Sequence, residues 1–213
     1  IGMVTAEIVD RLQLGFHLHF TQMDDAVRTR LAARLAAIQG ESREGIDRCL
    51  RTAAEVSSCI EQLIADKRLT MAELLDNDYP TIADTDPPQI RSRYLDVFEK
   101  APLQSIFDRT LAQDARMLFC CAIDRNGYIA IHNAKYSQPQ RRNDFKWNIA
   151  NCRNRRIFDD RAGLTSARNV RPYIIQSYPR DMGGGVTVLC KEIAAPVRVM
   201  GRHWGGLRTA YKI

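Results

Sequence analysis

Polar and aromatic residues suited to holding a small molecule concentrate between positions 134 and 169, a stretch that is rich in Asn and Arg and contains one Trp. Trp147, Asn148 and Arg153 lie close together in it. A tryptophan offers an apolar wall, and an asparagine both donates and accepts hydrogen bonds. A guanidinium binds a carboxylate through two parallel hydrogen bonds. These residues therefore predict contacts to a small ligand, with an organic acid or amino acid as the class that Arg153 suits.

Four further residues from the predicted strands complete the candidate site. Gln176 and Tyr178 are two positions apart and so share one face of a strand. His132 ends an apolar run, and Lys191 lies on the next predicted strand. We expect all four to contact the ligand together with residues of the stretch 134–169, which is predicted to be an insertion between strands.

Structural roles compete with the ligand-binding roles. Trp147 and Tyr178 are large enough to be core residues, and His132 can bond a backbone carbonyl. Arg153 can form an ion pair with Asp159 or Asp160. Gln176 can face away from the pocket, because strand alternation shows which residues share a face of the sheet but not which face meets the pocket.

Catalytic and metal-binding patterns are weak. Cys120 and Cys121 lie in an apolar run where burial suppresses the thiolate, and no Ser or Cys stands in a nucleophile-elbow context. The six cysteines fit no zinc spacing. We therefore predict a protein that is not an enzyme and has no cofactor. A haem-binding or metal-binding redox sensor that uses His132, His203 and the thiols remains an alternative.

Composition narrows the class and the location of the protein. Of 213 residues, 45% are apolar and 26% are charged, which is typical of a globular protein. The formal charge of +6 comes from scattered basic residues without a nucleic-acid motif, so no nucleic-acid partner is expected. No run of about 18 apolar residues occurs, so we expect no membrane span in this chain. The adjacent Cys120 and Cys121 are predicted to point to opposite faces of a strand, which favours reduced thiols and a cytoplasmic location.

The elements that must position these residues begin with helices. Apolar residues recur at steps of three and four from Ile8 to Ile38 and predict one long amphipathic helix, with His17 and His19 at its surface. Gly40 is predicted to end it, and a second helix is expected from about Arg43 to Asp66. The narrow stripe suits packing on the chain's own core or on a second copy in a homodimer.

A sheet is predicted for the rest of the chain. Two apolar runs flank the turn Asp124–Gly127 and indicate a β-hairpin in the middle of a sheet covered on both faces. Thr70 and Glu73 have the spacing of a capping box. The remaining predicted elements are helices ending at Lys100 and restarting at Pro102, a helix over Phe145–Phe158, and strands over Arg171–Tyr178, Val186–Ile193 and His203–Tyr211.

This order of helices, hairpin, insertion and three closing strands is the layout of a PAS-like fold. The hairpin AIDRNGYIAIHN resembles the D-x-x-G-x-x-x-x-H signature of Cache domains, and APVRVMGRHWGGLRTAYKI is similar to their last two strands. The strings DNDYPTIADTDPPQ, NCRNRRIFDDRAGL and YPRDMGGG are similar to a Cache-like region of methyl-accepting chemotaxis proteins. The resemblance covers about residues 70 to 213.

We expect an α+β fold in which the apolar spacing predicts a helical N-terminal segment, residues 1–69, and the resemblance implies a Cache-like domain, residues 70–213. That domain would hold an antiparallel five-stranded sheet with a loop-helix insertion over its ligand. The implied function is to bind a small molecule and to pass the signal through helices to the receptor's kinase-control coiled coil, and so to the chemotaxis kinase and adaptor. A ligand-free dimerisation module is a further alternative.

Overall fold

The computed structural model describes residues 4–12, 15–182 and 185–213. It combines helices with antiparallel sheets, which confirms the α+β class. The chain divides into two compact units, Ile1–Glu44 and Gly45–Ile213. The boundary predicted between residues 69 and 70 comes from the family resemblance and stays a prediction.

The first unit begins with a β-hairpin rather than a helix. Strand β1 (Val4–Leu12) pairs antiparallel with β2 (Gly15–Met23), and helix α1 (Asp25–Ala65) follows. The helix predicted over Ile8–Ile38 is therefore wrong up to Met23, and His17 and His19 lie on a strand. The segment FHLHFT alternates apolar and polar residues, so its strand period competes with a helical spacing that also fits.

Helix α1 is 41 residues long and continues through Gly40, so the helix end predicted there is wrong. A glycine inside a helix costs only about 1 kcal/mol relative to alanine, which the strong helix formers around it outweigh. The helix predicted over Arg43–Asp66 is confirmed as the C-terminal part of α1. There the buried side chains recur at helical spacing: Ile46, Cys49, Ala53, Val56, Ile60 and Leu63.

The second unit contains the strands of the main sheet and the shorter elements before and between them. In chain order they are α2 (Met71–Leu74), β3 (Thr81–Ile82), β4 (Gln89–Ile90), α3 (Leu95–Glu99), α4 (Leu103–Ala112), β5 (Met117–Asp124), β6 (Tyr128–Ile129), a 3-10 helix (Ala134–Tyr136), α5 (Phe145–Asn151), β7 (Arg156–Ile157), α6 (Arg161–Ala167), β8 (Ile174–Asp181), β9 (Thr187–Val199) and β10 (Arg202–Lys212). The Thr70 capping box is confirmed, because the Glu73 amide donates to the Thr70 hydroxyl at 3.2 Å and the Thr70 amide donates to the Glu73 carboxylate at 2.8 Å.

The main sheet has four antiparallel strands in the order β5-β10-β9-β8. One face carries the core cluster that includes Cys120 and Ile193, together with the buried side of α1. The other face carries the cluster of Phe119, Cys121 and Ala210. Both faces are therefore covered, and the adjacent cysteines point to opposite sides as strand parity predicts.

The predicted five-stranded sheet and its central hairpin are not confirmed. Strand β6 has two residues and pairs with β7, while β5 pairs only with β10 and so lies at the edge of the main sheet. The turn winds around the Asp124 carboxylate, which accepts hydrogen bonds from the amides of Asn126 and Tyr128, each at 2.9 Å. Gly127 alone in this turn takes a positive φ, +91°.

The helix predicted over Phe145–Phe158 is shorter than expected, since α5 ends at Asn151. Its start is as predicted, because the Asp144 side chain accepts from the Trp147 amide. Beyond it the Arg155 amide donates to the Ile129 carbonyl at 2.6 Å, which draws the chain into β7 instead of continuing the helix. Helix α6 then packs directly on β10: a Cβ built on Gly206 would lie 2.4 Å from the Ser166 carbonyl oxygen, so only glycine allows this approach.

Among the described residues, no helix has both the length and the apolar character needed to cross a bilayer.

Candidate functional site

A cavity of about 480 Å³ lies between the second face of the main sheet and the segment that runs from β6 to α6. This size is typical of small-molecule sites. Its apolar lining consists of Phe119, Ile129, Ile149, Phe158, Ala162 and Pro179. Its polar lining consists of His132, Arg153, Arg156, Asp160, Arg161, Tyr178, Arg180, Asp181 and Arg208. Arginines therefore outnumber carboxylates in the wall.

A buried ion pair forms the floor of the cavity. Arg208 binds Glu192 through two hydrogen bonds, from Nε to Oε1 at 3.0 Å and from Nη2 to Oε2 at 2.7 Å. The Tyr178 hydroxyl donates to Glu192 Oε2 at 2.6 Å, and Ser166 and Gln176 donate to Oε1. Burial opposes ionisation of Glu192, but Arg208 and these donors hold its pKa below the usual value. Arg208 is thus already neutralised by the protein.

Arg180 has no such partner. Its side chain is only 5% exposed, and its guanidinium carbon lies 4.2 Å from the ring centre of Phe119 and 4.8 Å from that of Tyr136. No carboxylate in the described part of the chain forms an ion pair with it, and its buried Nε has no hydrogen-bond partner there. A buried cation held only by two aromatic faces is costly unless an anion joins it.

Two more arginines extend this positive region. Arg153 donates from Nη2 to the Asp181 carbonyl, but its Nε is buried without a partner in the described ranges. Burial lowers the pKa of Arg153 to about 10, and the charges of Arg180 and Arg156 act in the same direction. Arg156 Nη1 is likewise buried and unpartnered, and burial lowers the pKa of this group too. We call Arg153, Arg156 and Arg180 the arginine cluster.

His132 adds a neutral donor beside the arginine cluster. The ring is 2% exposed and lies between Phe119 and Tyr136, with ring centres 5.5 and 5.0 Å away. Burial, and next the charges of Arg180 and Arg153, keep the pKa of His132 well below its usual value. Its Nδ1 accepts from the Asn133 amide at 2.7 Å, so the neutral ring carries its proton on Nε2.

The structure brings three of the seven predicted site residues to the cavity wall: His132, Arg153 and Tyr178. Gln176 lies behind the cavity wall, where its Nε2 donates hydrogen bonds to Ser166 Oγ at 2.8 Å and to Glu192 Oε1. The competing pairing of Arg153 with Asp160 is not formed, because Asp160 instead caps α6 through the Gly163 amide.

The other three predicted residues lie away from the wall. Trp147 packs under Arg141, whose guanidinium carbon is 3.7 Å from the ring centre. Asn148 is 2% exposed, and its side chain accepts a hydrogen bond from the Arg141 amide at 2.8 Å. It donates to the carbonyls of Arg141 at 2.9 Å and Asp86 at 2.8 Å, so it joins two loops. Lys191 is next to Glu192 on β9 and faces the opposite side of the sheet.

Sequence reasoning missed Arg180, Arg156 and Phe119. Arg180 was detectable, because it follows Gln176 and Tyr178 at the same spacing of two. The sequence predicts a strand end at Tyr178 because Pro179 is typical of a turn. Strand β8 continues to Asp181, since it lies at the edge of the sheet and an edge strand tolerates a residue without an amide proton.

Within the described ranges, no group of three or more His, Cys, Asp or Glu side chains is placed to hold a metal ion. All six cysteines are free thiols, and five of them are buried. No protein-family model matches this chain, and no curated protein matches its sequence.

Proposed function

We propose that residues 70–213 are the sensory region of a methyl-accepting chemotaxis receptor and bind a small organic anion in the cavity lined by the arginine cluster. The observation that carries the proposal is Arg180, a guanidinium that is 5% exposed and has no ion-pair partner among the described residues. The proposal takes its receptor class from the sequence resemblance and its ligand class from the cavity.

The chemistry of the cavity supports an anion rather than a cation or a neutral molecule. Buried charges in proteins are normally paired, and three neighbouring guanidiniums repel one another. A carboxylate seated on Arg180 would supply the missing charge and accept two hydrogen bonds in the plane of the guanidinium. Phe119, Ile129 and Phe158 would contact its hydrocarbon part.

The fold is compatible with the PAS-like part of the proposal. In the order β5-β10-β9-β8, the first long strand of the second unit lies beside the last one. The cavity lies between this sheet and the segment that covers it, which is where the resemblance implies a ligand. The free thiols support the cytoplasmic location that we propose for this region.

The cavity also has a physical connection to α1. Glu192, at the cavity floor, is followed by Ile193, which points to the other face of the sheet. The Ile193 carbonyl accepts a hydrogen bond from the Cys49 thiol of α1 at 3.5 Å. A ligand that binds one packing of the sheet on α1 more tightly than another shifts the population of α1 positions, and an indifferent ligand does not.

We propose that α1 passes this shift to a second copy of the chain and then to the receptor's signalling region, which controls the chemotaxis kinase and its adaptor. In the first unit, Leu31 and Leu35 of α1 are 38% and 50% exposed, which leaves an apolar face for a homodimer.

The test is a thermal-shift screen of the full chain against organic acids and amino acids, with an absorbance scan of the same sample. An acid held at about 100 times its dissociation constant adds about 2.7 kcal/mol to the free energy of unfolding. We expect at least one acid to raise the melting temperature of the wild type and of Arg202→Gln, which removes an exposed arginine outside the cavity. We expect no shift for Arg180→Gln.

The same experiment can refute the proposal. A hit whose shift is unchanged in Arg180→Gln places the ligand elsewhere. If no acid shifts the melting temperature and the sample shows a Soret band, the haem-sensor alternative replaces it. If neither signal appears, the ligand-free dimerisation module is the better description.

A further inference from the structure

The charge of the cavity wall indicates how many negative charges its ligand carries. Five arginines line the cavity, but they differ in what already neutralises them. Arg208 is paired with Glu192, and Arg161 is exposed to solvent. The three members of the arginine cluster remain, and none of them has an ion-pair partner in the described part of the chain.

The two carboxylates in the wall offset this positive charge only in part. Asp160 accepts from the Gly163 amide at 2.8 Å as the cap of α6. Asp181 is exposed, its backbone carbonyl accepts from Arg153 Nη2, and its negative charge acts on Arg153 but not enough to offset the effect of burial on that group's pKa. Each member of the cluster also keeps a buried nitrogen without a hydrogen-bond partner among the described residues: Arg153 Nε, Arg156 Nη1 and Arg180 Nε.

We propose that the cavity binds an organic dianion, with one acidic group on Arg180 and a second negative charge on Arg156, and with Arg153 between them. This inference rests on the proposed function and deepens it by fixing the charge of the ligand. A monoanion seated on Arg180 would leave the partly buried Arg156, whose buried Nη1 has no hydrogen-bond partner among the described residues, without a negative charge beside it.

Arg153 is the member of the cluster on which the charges of both others, Arg180 and Arg156, act. Arg180 lies over Phe119 and Tyr136, whereas Arg156 lies over a different ring, that of Phe158, at 5.3 Å. The two outer guanidiniums therefore belong to different parts of the wall, and a ligand that reaches both needs either two acidic groups or one doubly charged group.

The cavity also requires an organic body. Its volume of about 480 Å³ is far larger than an inorganic anion fills, and Phe119, Ile129, Ile149 and Phe158 provide apolar walls. His132 offers one neutral N–H donor from Nε2, which suits a carboxylate or phosphate oxygen. A dicarboxylate and a phosphate monoester share this chemistry, and only the measurement separates them.

The test compares matched monoanions and dianions by isothermal titration calorimetry on the full chain at pH 7.5 and constant ionic strength. One series is benzoate, its ortho, meta and para dicarboxylates, and phenyl phosphate, which is mostly doubly charged at this pH. A second series is butyrate, succinate and glutarate. We expect at least one dianion to bind tenfold or more tightly than the monoanion of its series.

Two variants locate the second charge. Arg156→Gln should remove most of the dianion's advantage and change monoanion affinity less than threefold. Arg180→Gln should weaken both classes of ligand. Arg202→Gln removes the same charge from an exposed position outside the cavity and should change neither affinity.

The possible outcomes separate this inference from the proposed function. If monoanions bind through Arg180 and no dianion of either series binds more tightly, the dianion inference is wrong and the sensor proposal stands. If a dianion binds best but Arg156→Gln leaves its advantage intact, the assignment of the second charge to Arg156 is wrong. If none of the acids binds, both fail. Preference for phenyl phosphate over every dicarboxylate would identify the phosphate class.

Discussion

Replacing Arg180 with methionine should stabilise the ligand-free protein and abolish anion binding. The variant keeps an unbranched apolar stem over Phe119 and Tyr136 and removes the buried unpaired charge. The lost cation–π contacts cost up to about 2 kcal/mol. Against this, the fall in the pKa of Arg153 from 12.5 to about 10, caused by burial and then by Arg180 and Arg156, corresponds to about 3 kcal/mol at neutral pH.

Removing Arg180 relieves part of that penalty at Arg153 and all of the burial penalty of its own charge. Substituting buried ionic groups by apolar ones of similar volume is neutral or stabilising by about 1–4 kcal/mol in other proteins. We therefore expect a net gain of about 1 kcal/mol in the free energy of unfolding, which raises the melting temperature of a chain of this size by about 2–4 °C.

The assay is urea unfolding at pH 7.5, followed by circular dichroism, with the midpoint and slope both fitted. Arg202→Met is the matched control and should change the free energy of unfolding by less than about 0.5 kcal/mol, because Arg202 is exposed. A loss of 1 kcal/mol or more in ligand-free Arg180→Met would show that this arginine holds the fold together. The reasoning from an uncompensated charge to an anion site would then be refuted.

Three further results are expected. Gly206→Ala should cost at least about 2 kcal/mol in urea unfolding, because its Cβ meets a backbone carbonyl of α6, whereas Gly40→Ala, with nothing within 4 Å, should increase the helix signal in circular dichroism. The pKa of His132 is lowered in the folded protein, so below about pH 6.5 the unfolded chain binds one more proton than the folded chain does. The free energy of unfolding therefore decreases by up to about 1.4 kcal/mol for each unit by which the pH falls in that range. His132→Gln should reduce this pH dependence between pH 7 and 5, and an unchanged pH dependence contradicts the assignment to His132. The double variant Leu31→Lys, Leu35→Lys should shift sedimentation toward the monomer and leave ligand affinity unchanged. If dimerisation and ligand binding were both lost, these residues would instead be needed for the fold.

Local patterns with a single physical meaning were predicted well. The Thr70 capping box, the start of α5 at Phe145 and the opposite directions of Cys120 and Cys121 each follow from chemistry between near neighbours in sequence. The strands β8, β9 and β10 were found from their apolar runs, with ends displaced by a few residues.

The errors arose where two patterns competed or where a partner lies far away in sequence. Residues 4–23 fit both a helical and a strand period, and only the pairing of β1 with β2 decides between them. Strand β6 pairs with β7 because Ile129 and Arg155 bond across a long segment, which no local signal reveals. The proposed role of Arg180 depends on its having no ion-pair partner among the described residues, and that is a property of the fold.

The close packing of α6 on β10 has a mechanical consequence for the cavity. Since Gly206 brings the two backbones into contact and Gln176 bonds the Ala162 carbonyl at 2.9 Å, this wall has no room to move relative to the sheet. Helix α5 is attached differently, through the Asn148 side chain to the loop at Asp86. We therefore expect that α6 stays fixed on the sheet when a ligand binds. Helix α5 would close over the ligand, and the loop at Asp86 would move with it.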